Sequence, residues 1–146
     1  DSYGKIKVIY AKDINFTYRN CNLDENLIFI SATLKGKNEE MIKIKNKIDK
    51  LKLQKEKTQP SRIKTCGSTF KNPPNKKAWE LIKISGCAGM KIGDAYISDK
   101  HCNFFVNNGK AKSDDLEKLI DQVKSKVLKK TGVNLELELQ IIGKKI

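Results

Sequence analysis

The sequence offers few groups for metal or nucleophilic chemistry. His101 is its only histidine, and its four cysteines (Cys21, Cys66, Cys87 and Cys102) are far apart, with no CxxC pair. Zinc and thioredoxin-like redox sites use closely spaced ligands or thiols. We therefore expect no metal site, and reduced thiols of the kind found in the cytoplasm.

Long apolar runs are also missing. No stretch approaches the roughly 20 apolar residues that a membrane-spanning helix needs, and the N-terminal DSYGKIKVIY lacks both an initiator Met and the pattern of a secretory leader. The 146 residues suffice for one ordinary domain, or for a small domain that carries part of another. The sequence thus predicts a cytoplasmic protein without a membrane partner, and is consistent with a fragment of a longer one.

Arginine is scarce although the chain is strongly basic. The net charge is +13, yet 28 of the 30 basic residues are lysine, and the two arginines are Arg19 and Arg62. A basic chain raises nucleic acid as a partner, but nucleic-acid surfaces favour arginine interleaved with aromatics. Abundant lysine, isoleucine and asparagine are also what an AT-rich genome encodes. We therefore expect no nucleic-acid partner.

The first 58 residues divide into extended and helical patterns. Apolar residues alternate with others in KIKVIYA (5–11) and NLIFISATLKG (26–36), which predicts strands. An amphipathic, lysine-rich helix is predicted over 38–57. Pro60 ends that helix, and we place a boundary between two structural units there.

The remainder, from about residue 59, predicts a compact α+β unit. A short helix begins near Ala78, and KIGDAYIS (91–98) and CNFFVNNG (102–109) are brief strand candidates. A longer helix starts at the cap Ser113 and closes at Gly132. In VNLELELQIIG (133–143) leucines alternate with acidic or polar residues, so a last strand with one apolar face is predicted.

The stretch GSTFKNP (67–73) displays Ser68 on a turn between these elements. One interpretation is a tight turn whose hydroxyls bond their own backbone. A hydrolase triad is not predicted, because the GxSxG elbow is absent and nothing in the sequence places His101, the only histidine, near Ser68.

Several blocks of the sequence together resemble the UDP-N-acetylenolpyruvoylglucosamine reductase family. INFTYRNCNL resembles its Tyr-Arg signature, TQP followed by GSTFKNP its serine loop, AWELI through HCNFFVN its next block, and GVNLELELQIIG its closing segment. The resemblance implies that residues 1–58 are the truncated C-terminal part of an FAD-binding domain, rich in β structure. It also implies that residues 59–146 are a substrate-binding domain.

The resemblance implies a flavoenzyme of bacterial peptidoglycan synthesis. With NADPH and FAD as cofactors, the family reduces UDP-N-acetylglucosamine enolpyruvate to UDP-N-acetylmuramate. FAD would be held largely by the N-terminal half of the family, which is missing here, so the chain alone is expected to be inactive. A non-catalytic nucleotide-sugar binding module and a basic nucleic-acid-binding domain are the competing interpretations.

The matched positions carry the family's catalytic roles as implied by the resemblance. Ser68 corresponds to the proton donor and Arg19 to the arginine that holds the substrate carboxylate. Glu138 corresponds to a second carboxylate-stabilising group, which would have to carry or share a proton beside an anion. Spacing alone does not distinguish Glu138 from Glu136, and without the resemblance both belong to a solvated strand face.

Four further positions are expected to bind substrate on the same grounds. They are Tyr18, Lys71, Asn72 and His101. The alternatives are a core aromatic for Tyr18, a turn-former before Pro73 for Asn72, and a solvent-exposed imidazole for His101.

Overall fold

The structure, a computed structural model, describes residues 3–143, and its contacts divide the chain into two compact units, Asp1–Glu39 and Glu40–Ile146. The fold is α+β, as the sequence predicts. Among the described residues, no helix combines the length and apolar character required to cross a membrane.

The first unit contains little regular structure. A 3-10 turn at Ala11–Asp13 precedes two short strands, β1 (Phe16–Thr17) and β2 (Asn20–Cys21). The strands pair antiparallel, with Phe16 opposite Cys21, and leave Tyr18 and Arg19 as the connecting residues. The hairpin thereby displays the Tyr-Arg pair at its tip.

The two strands predicted over 5–11 and 26–36 are wrong. Both stretches are irregular apart from the 3-10 turn that begins at Ala11, and most of their apolar side chains are exposed, for example Val8 at 81% and Phe29 at 71%. Alternation defines a potential apolar face, but a strand also needs a hydrogen-bonding neighbour and a core beneath it. The described residues of the first unit supply neither.

The second unit begins with helix α1 (Met41–Thr58), close to the predicted helix. Its apolar residues Ile44, Ile48 and Leu51 recur at helical spacing, yet none of its side chains is buried. The helix ends at Thr58, two residues before Pro60, as the proline requires.

A four-stranded antiparallel sheet forms the centre of this unit, in the order β3-β6-β5-β4. Its strands are β3 (Lys64–Ser68), β4 (Lys91–Ile92), β5 (Ala95–Ile97) and β6 (Phe104–Asn107). The stretch KIGDAYIS, predicted as one strand, is instead the β4–β5 hairpin. Gly93, at φ +52°, lies in the turn, a conformation that glycine adopts at little cost.

Two helices, α2 (Ala78–Ile84) and α3 (Ser113–Thr131), complete the unit. α3 packs on β4, β5 and α2. Ser113 is the first residue of the helix, so the N-cap is Lys112, one residue before the predicted cap. The Asp115 carboxylate accepts the Lys112 N–H at 2.9 Å, and Gly132 ends the helix at φ +70°.

The core lies between the sheet and these helices. Fully buried members include Phe70, Ile82, Ile97, Leu119, Val123, Val127 and Leu135. The segment 133–143, predicted as a strand, forms a single antiparallel bridge, Leu137 with Phe70. Its predicted apolar face is nevertheless present, because Leu135 is buried and Leu137 and Leu139 pack against the core.

Candidate active site

Ser68 lies at the end of a bulged strand. The β3–β6 register shifts between Thr65 and Ser68, so Cys66 and Gly67 interrupt the ladder before Ser68 pairs with Phe104. Gly67 has φ +85°, and a Cβ added there would meet nothing within 4 Å. Bulges redirect side chains and occur frequently beside active sites. The bulge therefore places the half-buried Ser68 directly after a glycine whose Cβ position is open.

The three residues after Ser68 run between two other parts of the chain. On one side the Thr69 N–H donates to the Asn103 carbonyl at 2.8 Å. On the other side the Lys71 N–H donates to the Glu136 carbonyl and the Glu138 N–H to the Thr69 carbonyl, both at 2.9 Å. The serine loop is thus held from both flanks, and the backbone of Glu138 is one residue from Ser68 across the bridge.

The two glutamates that spacing could not separate differ in their surroundings. Glu136 is exposed and pairs with Lys71, Nζ to Oε2 at 3.7 Å. Glu138 is half-buried and lies opposite Thr69, which is itself buried. An exposed ion pair contributes little to stability and is screened by salt. Of the two glutamates, the half-buried Glu138 is therefore the better placed to act on a bound group.

Asn72 joins the serine loop to α2. Its Oδ1 accepts the N–H of Ala78, the first residue of the helix, at 2.9 Å. This bond satisfies one of the helix's four otherwise unbonded amide groups. Asn72 therefore has a structural function, and its predicted contact with substrate stays a prediction, as does that of Lys71.

His101 is half-buried rather than solvent-exposed. Its ring lies 4.7 Å from Phe104 and 6.2 Å from Trp79, measured between ring centroids, and its Nδ1 accepts the Asn103 N–H at 3.3 Å. Burial lowers the pKa of His101 below its ordinary value. Because Nδ1 is an acceptor, the neutral ring carries its proton on Nε2. Since Phe104 pairs with Ser68, His101 lies beside the same strand end.

Arg19 and Tyr18 belong to the first unit. The Arg19 guanidinium stacks on the Tyr18 ring at 4.9 Å, and Arg19 has φ +60°. A non-glycine residue in this region costs about 1–2 kcal/mol, and such strain clusters at functional sites. Both side chains therefore have a defined arrangement, while their roles toward a substrate stay predictions.

The four cysteines do not form disulfides, and no group of three or more metal-ligating side chains occurs within residues 3–143. Cys87 and Cys102 are buried, and burial raises the pKa of both thiols. These two cysteines act as small apolar residues of the core.

FAD requires a segment that binds its pyrophosphate and a groove large enough for a dinucleotide. None of the loops within the described residues is a glycine-rich strand-to-helix turn of the type that binds dinucleotide phosphates. A cleft beside the β4–β5 hairpin, lined in part by Lys91, Gly93 and Tyr96, has a volume of about 200 Å³, and typical cofactor sites measure about 300–1,000 Å³. This part of the chain does not by itself fit FAD.

Asn103, which was not predicted from the sequence, is buried beside the serine loop. Its side chain is 3% exposed and bonds to the Phe70 backbone twice, through Oδ1 at 3.0 Å and Nδ2 at 2.8 Å. The available signal was an amide flanked by the apolar residues Cys102 and Phe104. A buried amide must satisfy both its donors and its acceptor.

The second unit is a small α+β domain in which a four-stranded antiparallel sheet, packed by two helices, carries an irregular polar edge built around a serine loop. The model of one family, the C-terminal domain of UDP-N-acetylenolpyruvoylglucosamine reductase, matches residues 59–142. The chain belongs to this family.

Individual relatives agree with the family match. The chain is 48% identical to the UDP-N-acetylenolpyruvoylglucosamine reductase of Pelagibacter ubique over 97% of its own length and 48% of the relative's. The reductase of Gluconobacter oxydans is 42% identical, with 97% and 46% covered. The crystal structure of the Thermus caldophilus enzyme matches with a TM-score of 0.75 at 33% identity, covering 88% of this chain and 46% of that one.

The chain spans just under half the length of the relatives that it matches. The family match and the similar crystal structure establish the family and the fold of this chain. They do not establish the activity of a complete protein.

Proposed function

We propose that this chain is the substrate-binding and proton-donating portion of an NADPH-dependent, FAD-containing reductase. The reaction is the reduction of UDP-N-acetylglucosamine enolpyruvate to UDP-N-acetylmuramate, in the cytoplasm, for peptidoglycan synthesis. Residues 1–58 are the end of the FAD-binding domain in this proposal, and residues 59–146 are the substrate-binding domain. The observation that carries it is the hydrogen bond from the Glu138 N–H to the Thr69 carbonyl, which joins the two predicted catalytic segments in a chain of this family.

The chemistry assigns a proton donor to Ser68. FAD would be held by the part of the relatives that this chain does not cover and, with NADPH as the reductant, would supply the hydride that the enolpyruvyl methylene carbon needs. The neighbouring carbon then requires a proton, and it is far more basic than an ordinary carboxylate. A hydroxyl is a sufficient acid for so strong a base, and Ser68 directly follows Gly67, whose Cβ position is open.

Two groups stabilise the negative charge that builds on the substrate in this proposal. Arg19 offers a planar, permanently charged donor to the carboxylate, and its cation–π contact with Tyr18 supports the guanidinium. Glu138, carrying or sharing a proton, donates to the same group or to its neighbour. Lys71, Asn72, His101 and Tyr18 contribute to substrate binding, and the net charge of +13 favours approach of an anionic nucleotide sugar.

The test uses a full-length polypeptide, in which this chain is joined to the part of the relatives that it does not cover. It is reduced anaerobically with NADPH, and flavin absorbance is followed when enolpyruvyl-UDP-N-acetylglucosamine is added. Rapid return of oxidised flavin is expected. Absence of bound flavin or of reoxidation would contradict the proposal and favour a nucleotide-sugar binding module.

Ser68→Ala separates the two halves of the reaction. Flavin reduction by NADPH should persist, because it does not use the serine, whereas reoxidation by substrate should slow by about two or more orders of magnitude, as expected for loss of a general acid. Thr58→Ala is the control, since it removes a hydroxyl that donates to the carbonyls of Gln54 and Lys55 within helix α1. Unchanged reoxidation in Ser68→Ala would remove Ser68 from the mechanism.

A further inference from the structure

Asn103 takes the place of a neighbouring strand beside the serine loop. Its Oδ1 accepts the Phe70 N–H at 3.0 Å and its Nδ2 donates to the Phe70 carbonyl at 2.8 Å. Its own carbonyl accepts the Thr69 N–H at 2.8 Å. An exchange of both N–H···O bonds is what a hydrogen-bonded pair makes in an antiparallel ladder, and here one side-chain amide supplies it.

The backbone of β6 does not reach Phe70. The β3–β6 ladder ends at the pair Ser68 with Phe104, and the chain before Phe104 turns, with the Phe104 N–H bonded to the His101 carbonyl. Phe70 is fully buried, so its backbone groups have no access to water. Each such group left without a partner would cost about 1–3 kcal/mol. The Asn103 amide removes this cost on both groups at once.

The bonds of Asn103 continue to Glu138. Thr69 receives support from the Asn103 carbonyl through its N–H and accepts the Glu138 N–H through its own carbonyl. Phe70 lies between the Asn103 side chain and its bridge partner Leu137. One buried amide therefore sets the position of the backbone that immediately follows Ser68 and that faces Glu138.

We propose that Asn103 is a positioning residue that holds Ser68 and Glu138 in their relative geometry. The catalytic part of this inference rests on the proposed function, because Ser68 and Glu138 have their roles only there. The physical part, that the loop depends on the amide, rests on the hydrogen bonds alone.

The test compares Asn103→Asp with Asn107→Asp in the full-length polypeptide. Aspartate has the same shape as asparagine, but it replaces the Nδ2 donor by an oxygen that faces the Phe70 carbonyl. Asn107 is the matched control at the other end of β6, where its Oδ1 accepts the N–H groups of Gly109 and Ala111 and its Nδ2 donates to the Ala111 carbonyl. Both variants lose one buried or half-buried amide donor, but only the first touches the serine loop.

Asn103→Asp should slow flavin reoxidation by about tenfold to a hundredfold, the effect of a small misplacement of reacting groups. Flavin reduction by NADPH should be unchanged in it, and Asn107→Asp should leave both rates within about twofold. Hydrogen exchange at the Thr69 and Glu138 amides should accelerate in Asn103→Asp and not in Asn107→Asp. If Asn103→Asp does not fold, Asn103→Ser, which also removes the amide, takes its place with the same expectations.

Each outcome separates the two proposals. Wild-type protein that fails to reoxidise its flavin contradicts the proposed function and with it the catalytic role of Asn103. An active wild type, with reoxidation in Asn103→Asp equal to that in Asn107→Asp, overturns the positioning role alone. Unchanged amide exchange at Thr69 and Glu138 would show that the loop does not depend on the amide.

Discussion

Gly93→Ala should destabilise the second unit by more than its backbone conformation alone explains. Gly93 has φ +52°, and a Cβ built there lies 2.7 Å from Asp115 Oδ2 and 2.8 Å from Asp115 Cγ. The Asp115 carboxylate would have to move away. It would then lose its hydrogen bond with the Lys112 N–H, 2.9 Å long, at the start of α3.

The expected loss in the free energy of unfolding of Gly93→Ala has two separable contributions. A residue other than glycine at positive φ costs about 1–2 kcal/mol, and loss of a helix-capping bond costs about 1 kcal/mol more. Gly86→Ala is the matched control, because Gly86 has φ +69° with nothing within 4 Å of an added Cβ. We expect about 2–3 kcal/mol for Gly93→Ala and about 1–2 kcal/mol for Gly86→Ala.

Trp79, the only tryptophan of the chain, lies in α2 and makes fluorescence a probe of this unit. Thermal unfolding should give Gly93→Ala a Tm lower than that of Gly86→Ala by about 4–8 °C, the usual shift for 1 kcal/mol in a domain of this size. Adding Asp115→Ala to Gly93→Ala should cost nothing further, because the cap is already lost. Equal Tm values for the two glycine variants, or additive losses in the double variant, would show that the Asp115 contact does not cause the extra loss.

Two further predictions concern the site itself. Glu138→Gln should slow flavin reoxidation in the full-length polypeptide by about tenfold or more. Glu136→Gln removes only an exposed ion pair with Lys71, so its reoxidation rate should stay within about twofold of the wild-type rate. Equal effects of the two substitutions would contradict the choice of Glu138. Because burial lowers the pKa of His101, its proton binds more weakly in the folded state, so the free energy of unfolding should decrease as the pH falls below about 6.5. Measured by Trp79 fluorescence, this decrease should be smaller in His101→Gln, and equal pH dependence in the two proteins would exclude His101 as its source.

The regular parts of the second unit could be predicted from local pattern. Leu119, Ile120, Val123 and Val127 of α3 recur at helical spacing, and all four are buried. Periodicity identifies such faces because one helix face must meet the core. The same reasoning failed for residues 5–11 and 26–36, where the pattern is present but neighbouring strands are not.

The site could be predicted only in part, because its contacts are not local. Resemblance predicted Ser68 and Glu138 as site residues, and the structure shows that the segments that carry them are hydrogen-bonded to each other. Asn103 was missed because its partner Phe70 is 33 positions away in sequence. Neither composition nor spacing indicates which buried amide will complete the bonding of a distant loop.

The irregular backbone and the proposed function coincide for a physical reason. A continuous β3–β6 ladder would place the side chains after Thr65 alternately on the two faces of the sheet. The bulge at Cys66 and Gly67 breaks that alternation, and the turn of the chain before Phe104 leaves the backbone groups of the buried Phe70 without a partner in β6. Asn103 supplies the missing bonds on one side, and the bridge to Leu137 brings Glu138 to the other. The placement of Ser68 therefore follows from the bulge, whereas the need for a buried amide follows from the end of the β3–β6 ladder at Ser68.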